Sequence, residues 1–312
     1  MDTHELLGKI TRLPIVADSL SVDMLSGNFR SVFKGQGLEF DEARHYQWGD
    51  DAKTIDWNAS ARLGTPFIKM FREERELTIL LLLDTSASMN CGTSNVWGKT
   101  QCPYEQALIT AALIAFSAER SGQRVGAFLF DKEIARVFPP RKGRRNVMAL
   151  VSGALQYHRP GGVSRSRQQP GQKQRRGVQS SNLRAAIVGA SRLLKRRSMV
   201  VLISDFLSVG WEQEITDLGR KHDVIAVRVS DPAGGELPDL GLISIEDPET
   251  GLHLAAPTSS ASFRSAWLAW QKERGELWQN LCRRSGVASL ELPVDADSAA
   301  ELRRFFGGRG GR

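Results

Sequence analysis

The residues best suited to chemistry stand where an apolar run ends. Leu77–Asp84 reads LTILLLLD and leads into Thr85-Ser86-Ala87-Ser88-Met89. This Asp-x-Ser-x-Ser loop offers one carboxylate and two hydroxyl oxygens, those of Asp84, Ser86 and Ser88, on one side of a turn. Hard divalent cations such as Mg²⁺ take oxygen ligands in octahedral array and tend to keep some of their waters. A second apolar run, MVVLISD (Met199–Asp205), also ends in an acid, and Ser180-Ser181-Asn182 opens a helical pattern with further hydroxyls. The same residues have a plainer use, because Asp, Ser and Thr after a strand also cap helices and close turns. The metal reading requires that all three loops fall at one end of one sheet.

The surrounding pattern predicts that sheet. LTILLLLD, RVGAFLF (Arg124–Phe130), MVVLISD and VIAVRVSD (Val224–Asp231) are nearly continuous apolar runs, as strands buried on both faces are. Helical spacing lies between them, over Tyr104–Arg120, Arg145–Tyr157, Asn182–Arg197 and Trp211–Lys221. Strands alternating with helices predict an α/β fold, a doubly wound, mainly parallel sheet flanked by helices. In such sheets ligands gather at the carboxyl ends of the strands, where Asp84 and Asp205 stand. EIARVFPP (Glu133–Pro140) reads as an edge strand stopped by its two prolines, and ISIEDPETGLHLA (Ile243–Ala255) as a hairpin around a PETG turn. Phe263, Trp267, Trp270, Leu277 and Leu281 recur on one face of a long helix, a pattern that predicts core packing, with Trp278 beside them.

The expected organisation is a small N-terminal subdomain over 1–76, the main domain over 77–306 with a basic loop at 158–180, and a disordered tail over 307–312. The first part is rich in Gly, Asp and aromatic residues, and its Asp41, Asp50, Asp51 and Asp56 alternate with Arg44, Arg62 and Trp57. Paired charges with aromatic anchors fit a structural clamp onto the main domain better than a second binding surface.

Composition removes several function classes. The chain has 312 residues, 41% hydrophobic and 25% charged, the balance of a folded protein large enough to need no disulfide. Its cysteines, Cys91, Cys102 and Cys282, form no CxxC pair, which argues against a zinc site and for a reducing, cytoplasmic setting. No apolar run approaches the roughly 20 residues of a membrane span, and the N-terminal sequence is not that of a signal peptide. The net charge of +7 is concentrated: 16 of the 42 Lys and Arg, and none of the 35 acids, lie between Arg136 and Arg197. Such a segment is usually a solvated loop, and without interleaved aromatics it is a poor nucleic-acid surface.

At this point the residues resemble a known family. DTSASM after an apolar strand is similar to the metal-ion-dependent adhesion site (MIDAS) of von Willebrand factor type A domains. The stretch before it, above all Gly37–Arg62 (GLEFDEARHYQWGDDAKTIDWNASAR), resembles the bacterial family of domain of unknown function fifty-eight (DUF58). The likeness covers roughly Phe29 to Phe306. It implies a von Willebrand factor type A-like, Rossmann-like fold. It implies that Asp84, Ser86 and Ser88 ligate a metal directly or through water, with Ser181 where the pattern usually has Thr and Asn182 where many relatives have Asp. Asp205 takes the place of that strand's usual acid. Genes of this family commonly neighbour those of MoxR-type AAA+ ATPases, which implies such an ATPase as protein partner.

With only two carboxylates and hydroxyls filling the rest, a bound Mg²⁺ (or Mn²⁺ or Ca²⁺) is at most neutralised and can still accept a partner's carboxylate at an open position. The expected function is therefore a non-enzymatic, metal-dependent protein–protein adaptor. Metal-assisted hydrolysis needs an activated water, a base and charge clamps. The five histidines (His4, His45, His158, His222, His253) are scattered, and no GxSxG, HExxH or GxxxxGK[ST] occurs. A metal-dependent phosphohydrolase, and nucleic-acid binding through the basic loop, are the alternatives.

Overall fold

The computed structural model describes residues 8, 10, 13–14, 17, 38–48, 50–51, 55–73, 77–91, 102–158, 181–231, 237, 239–247, 249 and 252–309. The basic loop at 158–180, His158 excepted, and the last three residues lie outside this set.

The four apolar runs are the centre of a six-stranded sheet. They are β3 (Thr78–Asp84), β4 (Arg124–Phe130), β6 (Met199–Ser204) and β7 (Asp223–Ser230), joined by β5 (Ile134–Arg141) and β10 (Ala288–Pro293). The order is β10-β7-β6-β3-β4-β5, and every neighbouring pair is parallel except β4 with β5. β3 shows why its sequence is uninterrupted. Ile79, Leu81 and Leu83 enter the core on one face and Leu80 and Leu82 the core on the other, all at most 1% exposed. A strand covered on both sides has no polar face.

One face carries α3 (Pro103–Arg120), α4 (Arg144–Leu155) and α8 (Ser298–Arg309), with Ile10 and Ala17 also in that core. The other carries α5 (Leu183–Leu193), α6 (Glu212–Lys221) and the end of α7 (Ala261–Arg284). The chain leaves β3 toward β4 and β5, then returns to the opposite side of β3 to build β6, β7 and β10. The reversal falls between β3 and β6, which opens a crevice where Asp84 and Asp205 emerge.

Four expectations from sequence are corrected. Pro139 and Pro140 do not stop β5 but lie inside it, at a bulge that sets Val125 opposite Arg141 and Ala127 opposite Phe138. On an edge strand the missing N–H groups cost no ladder bond. The bulge brings Phe138 O within 2.7 Å and Pro140 N within 2.8 Å of where a Cβ on Gly126 would sit, so only glycine fits there. Second, α8 runs past Phe306 through Arg309, so the tail is helical for its first residues.

Third, the aromatic face of α7 is not core. Only Trp278 and Cys282 of this helix are buried, while Trp270 and Leu277 are 45% and 62% exposed. Phe263, Trp267 and Trp270 instead stack along the helix at centroid separations of 6.5 and 5.3 Å.

Fourth, the pair Arg44–Asp50 closes within the N-terminal unit and not across to the main domain. Leu38–His45 (β1) pairs antiparallel with Phe67–Glu73 (β2), and the short helix α1 (Trp57–Leu63) lies between them in sequence. Arg44 grips Asp50 with two bonds of 2.9 and 2.7 Å, which hold the Asp50 carboxyl below its usual range. Asp56 caps α1 by accepting from Asn58 N and Ala59 N. Trp48 and Trp57 point into solvent and anchor nothing. The strands of the expected hairpin pair as read, with β8 (Leu242–Glu246) antiparallel to β9 (His253–Pro257); of its PETG turn, Glu249 is among the described residues.

Candidate metal centre

Asp84 is the hub of the crevice. As the last residue of β3 it is fully buried, and its two oxygens are held by groups from three loops. Oδ1 accepts from Ser86 N at 2.9 Å, and Oδ2 accepts from Ser204 Oγ at 2.6 Å and Ser181 Oγ at 3.4 Å. Ser86 stands just before α2 (Ala87–Asn90) and leaves its hydroxyl free of capping, so that Ser86 Oγ and Ser88 Oγ meet at 3.0 Å. The Ser88 hydroxyl also bonds the Asp205 carboxylate. Asp205 follows the last residue of β6, and its Oδ1 accepts from Leu207 N at 3.0 Å. Asp84, Ser86, Ser88, Ser181 and Asp205, far apart in sequence, therefore meet at one place. Asn182 does not face it: its side chain caps α5 by accepting from Ala185 N.

Three further residues reach the site that sequence alone did not mark. Ser204 is masked by its neighbour Asp205, yet its hydroxyl makes the shortest bond to Asp84 and also accepts from Phe206 N at 3.0 Å. Glu249, in the turn of the β8–β9 hairpin, accepts from Ser88 N at 3.3 Å. Asp131, just past β4, is close enough to raise the Glu249 carboxyl, and its carbonyl accepts from Asn182 N at 2.7 Å. Glu249 thus joins the two carboxylates expected from sequence, with Asp131 near it.

The electrostatics follow from the crowding. Burial, and then repulsion by Asp205, push the Asp84 carboxyl up to about 7. Burial also raises Asp205, against the pull of Arg274 and Arg228 nearby. Glu249 is raised by burial first and then by Asp131 and Asp205. Buried acids shifted upward together form a site whose burial and mutual repulsion outweigh the nearby arginines. Their oxygens, with the hydroxyls of Ser86, Ser88 and Ser181, are the hard donor set that Mg²⁺, Mn²⁺ and Ca²⁺ prefer. The residues fit such an ion.

A second group of possible ligand atoms, from Cys102, Glu105 and His158, lies within 4.8 Å of one another. Here His158 Nε2 and Glu105 Oε1 already share a buried hydrogen bond of 2.8 Å that fastens the chain after α4 to the start of α3. Burial pushes the Cys102 thiol up to about 11, so it is protonated at neutral pH. The other described histidines are engaged elsewhere: His45 stacks on Phe67 at 4.3 Å, and His253 faces Ser244 Oγ at 3.4 Å. His222, held below its usual range by burial, follows α6. Among the described residues the three cysteines form no disulfide, and no helix is long and apolar enough to cross a membrane.

Comparison with known proteins gives relatives without assigned roles. The chain is 29% identical over 311 residues to uncharacterized protein Mb1516 of Mycobacterium bovis and, at the same identity, to uncharacterized protein Rv1480 of Mycobacterium tuberculosis. Each alignment covers 99% of this chain and 91% of the relative. Uncharacterized protein MAV169 of Mycobacterium avium is 34% identical over 130 residues, 41% of this chain and 76% of its own. Among solved structures, the PilB minor pilin from Streptococcus sanguinis aligns over 78% of this chain and 63% of its own, with 7% identity and a TM-score of 0.39, too low to carry an argument. The family model described as protein of unknown function DUF58 matches residues 42–276, and the chain belongs to that family.

Proposed function

We propose that this protein is a non-enzymatic docking module whose crevice between β3 and β6 holds a divalent cation, Mg²⁺ first among the hard ions, and engages a protein partner through it. The observation that carries the reading is the meeting of Asp84, Ser86, Ser88, Ser181 and Asp205 around one buried carboxylate at the sheet's switch point. The resemblance of DTSASM to the adhesion site of von Willebrand factor type A domains supports it. The bound ion supplies a Lewis-acidic centre that a partner's carboxylate can ligate. This chain's own work is to hold the ligand oxygens in place: Ser204 fixes one oxygen of Asp84, the Ser86 amide fixes the other, and Ser88 links Asp205 to the loop. The gene-neighbourhood habit of the family makes a MoxR-type AAA+ ATPase the partner to test, in a cytoplasmic assembly or maturation role.

The hydrolase reading keeps one specific support. Arg228 and Arg274 stand near Asp205, where sequence reading expected no clamping cation. It ranks second because the described histidines are occupied away from the crevice, which leaves that reaction without its usual base.

Co-purification of the intact protein with the candidate ATPase, with Mg²⁺ and then with EDTA, tests the docking reading. A complex that forms with Mg²⁺, dissolves in EDTA and is absent for Asp84→Ala supports it. A complex indifferent to both contradicts it. Turnover of p-nitrophenyl phosphate with Mg²⁺ or Mn²⁺, lost in Asp205→Ala, would move the hydrolase reading to first place.

A further inference from the structure

Immediately beside the metal centre the chain forms a groove, a cavity of about 350 Å³ between the segment after β6 and the helix α7. Its floor is strained. Phe206, the residue after Asp205, has φ +54°, the only positive φ of a non-glycine among the described residues. It is pinned by its amide bond to Ser204 Oγ and by ring contacts with Trp211 and Trp278 at 5.2 and 5.5 Å. Strained backbone held by its surroundings concentrates at functional sites. Here it turns the chain outward, so that Leu207 and Val209 stand 48% and 84% exposed on the groove's lip, facing the equally uncovered Leu277 of α7.

The groove's walls are cationic. Arg228, Arg274 and Arg284 line it, with Glu212 the single acid of the lining and Asp205, already drawn toward Arg274 and Arg228, beside it. Arg228 lies in register with Ser204 one strand away, which sets it at the same sheet edge as Asp84's partner. Its guanidinium stands over Trp278 at 5.9 Å and 3.9 Å from Glu291, yet its buried Nη1 has no hydrogen-bond acceptor. Arg274 stacks on Trp270 at 4.7 Å. A buried donor without an acceptor is costly, and planar guanidinium groups bind carboxylates in paired fashion. Leucine and valine at the lip have no use in a site built for a small free anion, but they suit side chains flanking one.

We propose that this groove binds an extended segment of a partner protein in which an acidic residue, taken up by Arg228 and Arg274, is flanked by apolar side chains that cover Leu207, Val209 and Leu277. The proposal rests on the reading of the protein as a docking module and names the chemistry of what docks. It places recognition of sequence in the groove and leaves the neighbouring centre to ligate its own carboxylate.

The probes are a fluorescein-labelled peptide with one glutamate between two leucine pairs, its glutamine twin, and a third with serines for the leucines. Anisotropy is measured on the intact protein in EDTA, so that only the groove is read. The glutamate peptide is expected to bind at least about tenfold tighter than its twin, a difference of about 1.4 kcal/mol. Arg274→Gln, on a half-exposed side chain and checked for an unchanged melting curve, should erase that preference, and Val209→Ser should weaken both leucine peptides alike. Equal binding of the twins, or a preference that survives Arg274→Gln, overturns the proposal. So does equal binding of the serine peptide with displacement by inorganic phosphate, which marks a bare anion site. Failure of the metal reading looks different: Mg²⁺ titration is silent while the peptide preference in EDTA persists.

Discussion

The amide of Ser88 donates to Glu249 Oε1 over 3.3 Å, across 161 residues of sequence. That bond ties the loop after the central strand β3 to the tip of the β8–β9 hairpin, and it brings a carboxylate to the site from an element outside the main sheet. The hairpin is thus tied at its tip to the polar site, while Leu242 and Leu254 stay 73% and 68% exposed along its length.

On the metal reading, Glu249 is expected to add to cation affinity through its place beside Ser88. Glu249→Gln keeps the shape and removes one negative charge. Calorimetric titration should show Mg²⁺ affinity reduced about 3- to 10-fold, in line with the effect of an outer partner on a metal site, with the thermal midpoint in EDTA unchanged or raised. Unaltered affinity would remove Glu249 from the site.

The raised carboxyls predict an unusual pH dependence. Asp84 titrates near 7 in the folded protein against an ordinary 3.8. Between these values the native state holds a proton that the unfolded state has lost, so stability falls as pH rises through this window. Asp205 and Glu249 are shifted in the same direction, whereas exposed Asp50 is shifted downward and opposes them only at more acidic pH. In EDTA the melting temperature should drop by several degrees from about pH 5 to about pH 7.5, and saturating Mg²⁺ should recover the loss by binding only the folded state. A flat profile in EDTA would mean that the crevice carries no uncompensated charge.

The edge-strand bulge makes a prediction independent of the site. Gly126→Ala drives a methyl against the Phe138 carbonyl and Pro140, all backbone or ring atoms with little room to yield. Overpacking of this kind costs about 1–3 kcal/mol, read as a lower urea midpoint at constant slope. An unchanged midpoint would show that β5 moves freely on β4.

What the sequence reveals, and what it hides, follows from how far apart the cooperating residues lie. The buried parallel strands are legible because burial on both faces leaves an uninterrupted apolar run, as in Ile79–Leu83. Asp84 and Asp205 are legible because each directly ends such a run, and chain alternation sets the two ends together. Glu249 reads only as a turn residue, since a PETG hairpin carries no sign of where its tip will lie. Arg228 sits within an apolar strand and Arg274 on a polar helix, and their approach to Asp205 depends on packing between elements. Periodicity along α7 shows that one side is apolar, but it does not show whether the same chain covers it. Only the last turns do, through Trp278 and Cys282. Pro139 and Pro140 mislead for a local reason, because a proline ends a central strand but not an edge one with a bulge.

The most direct test of the metal-centred account is calorimetric titration of Mg²⁺ into the wild-type protein and Asp84→Ala at neutral pH. The account predicts saturable binding of one ion to the wild type and none to the variant, which should remain folded because its other core contacts are intact. Equal titration curves for the two proteins, or no binding by either, would contradict it.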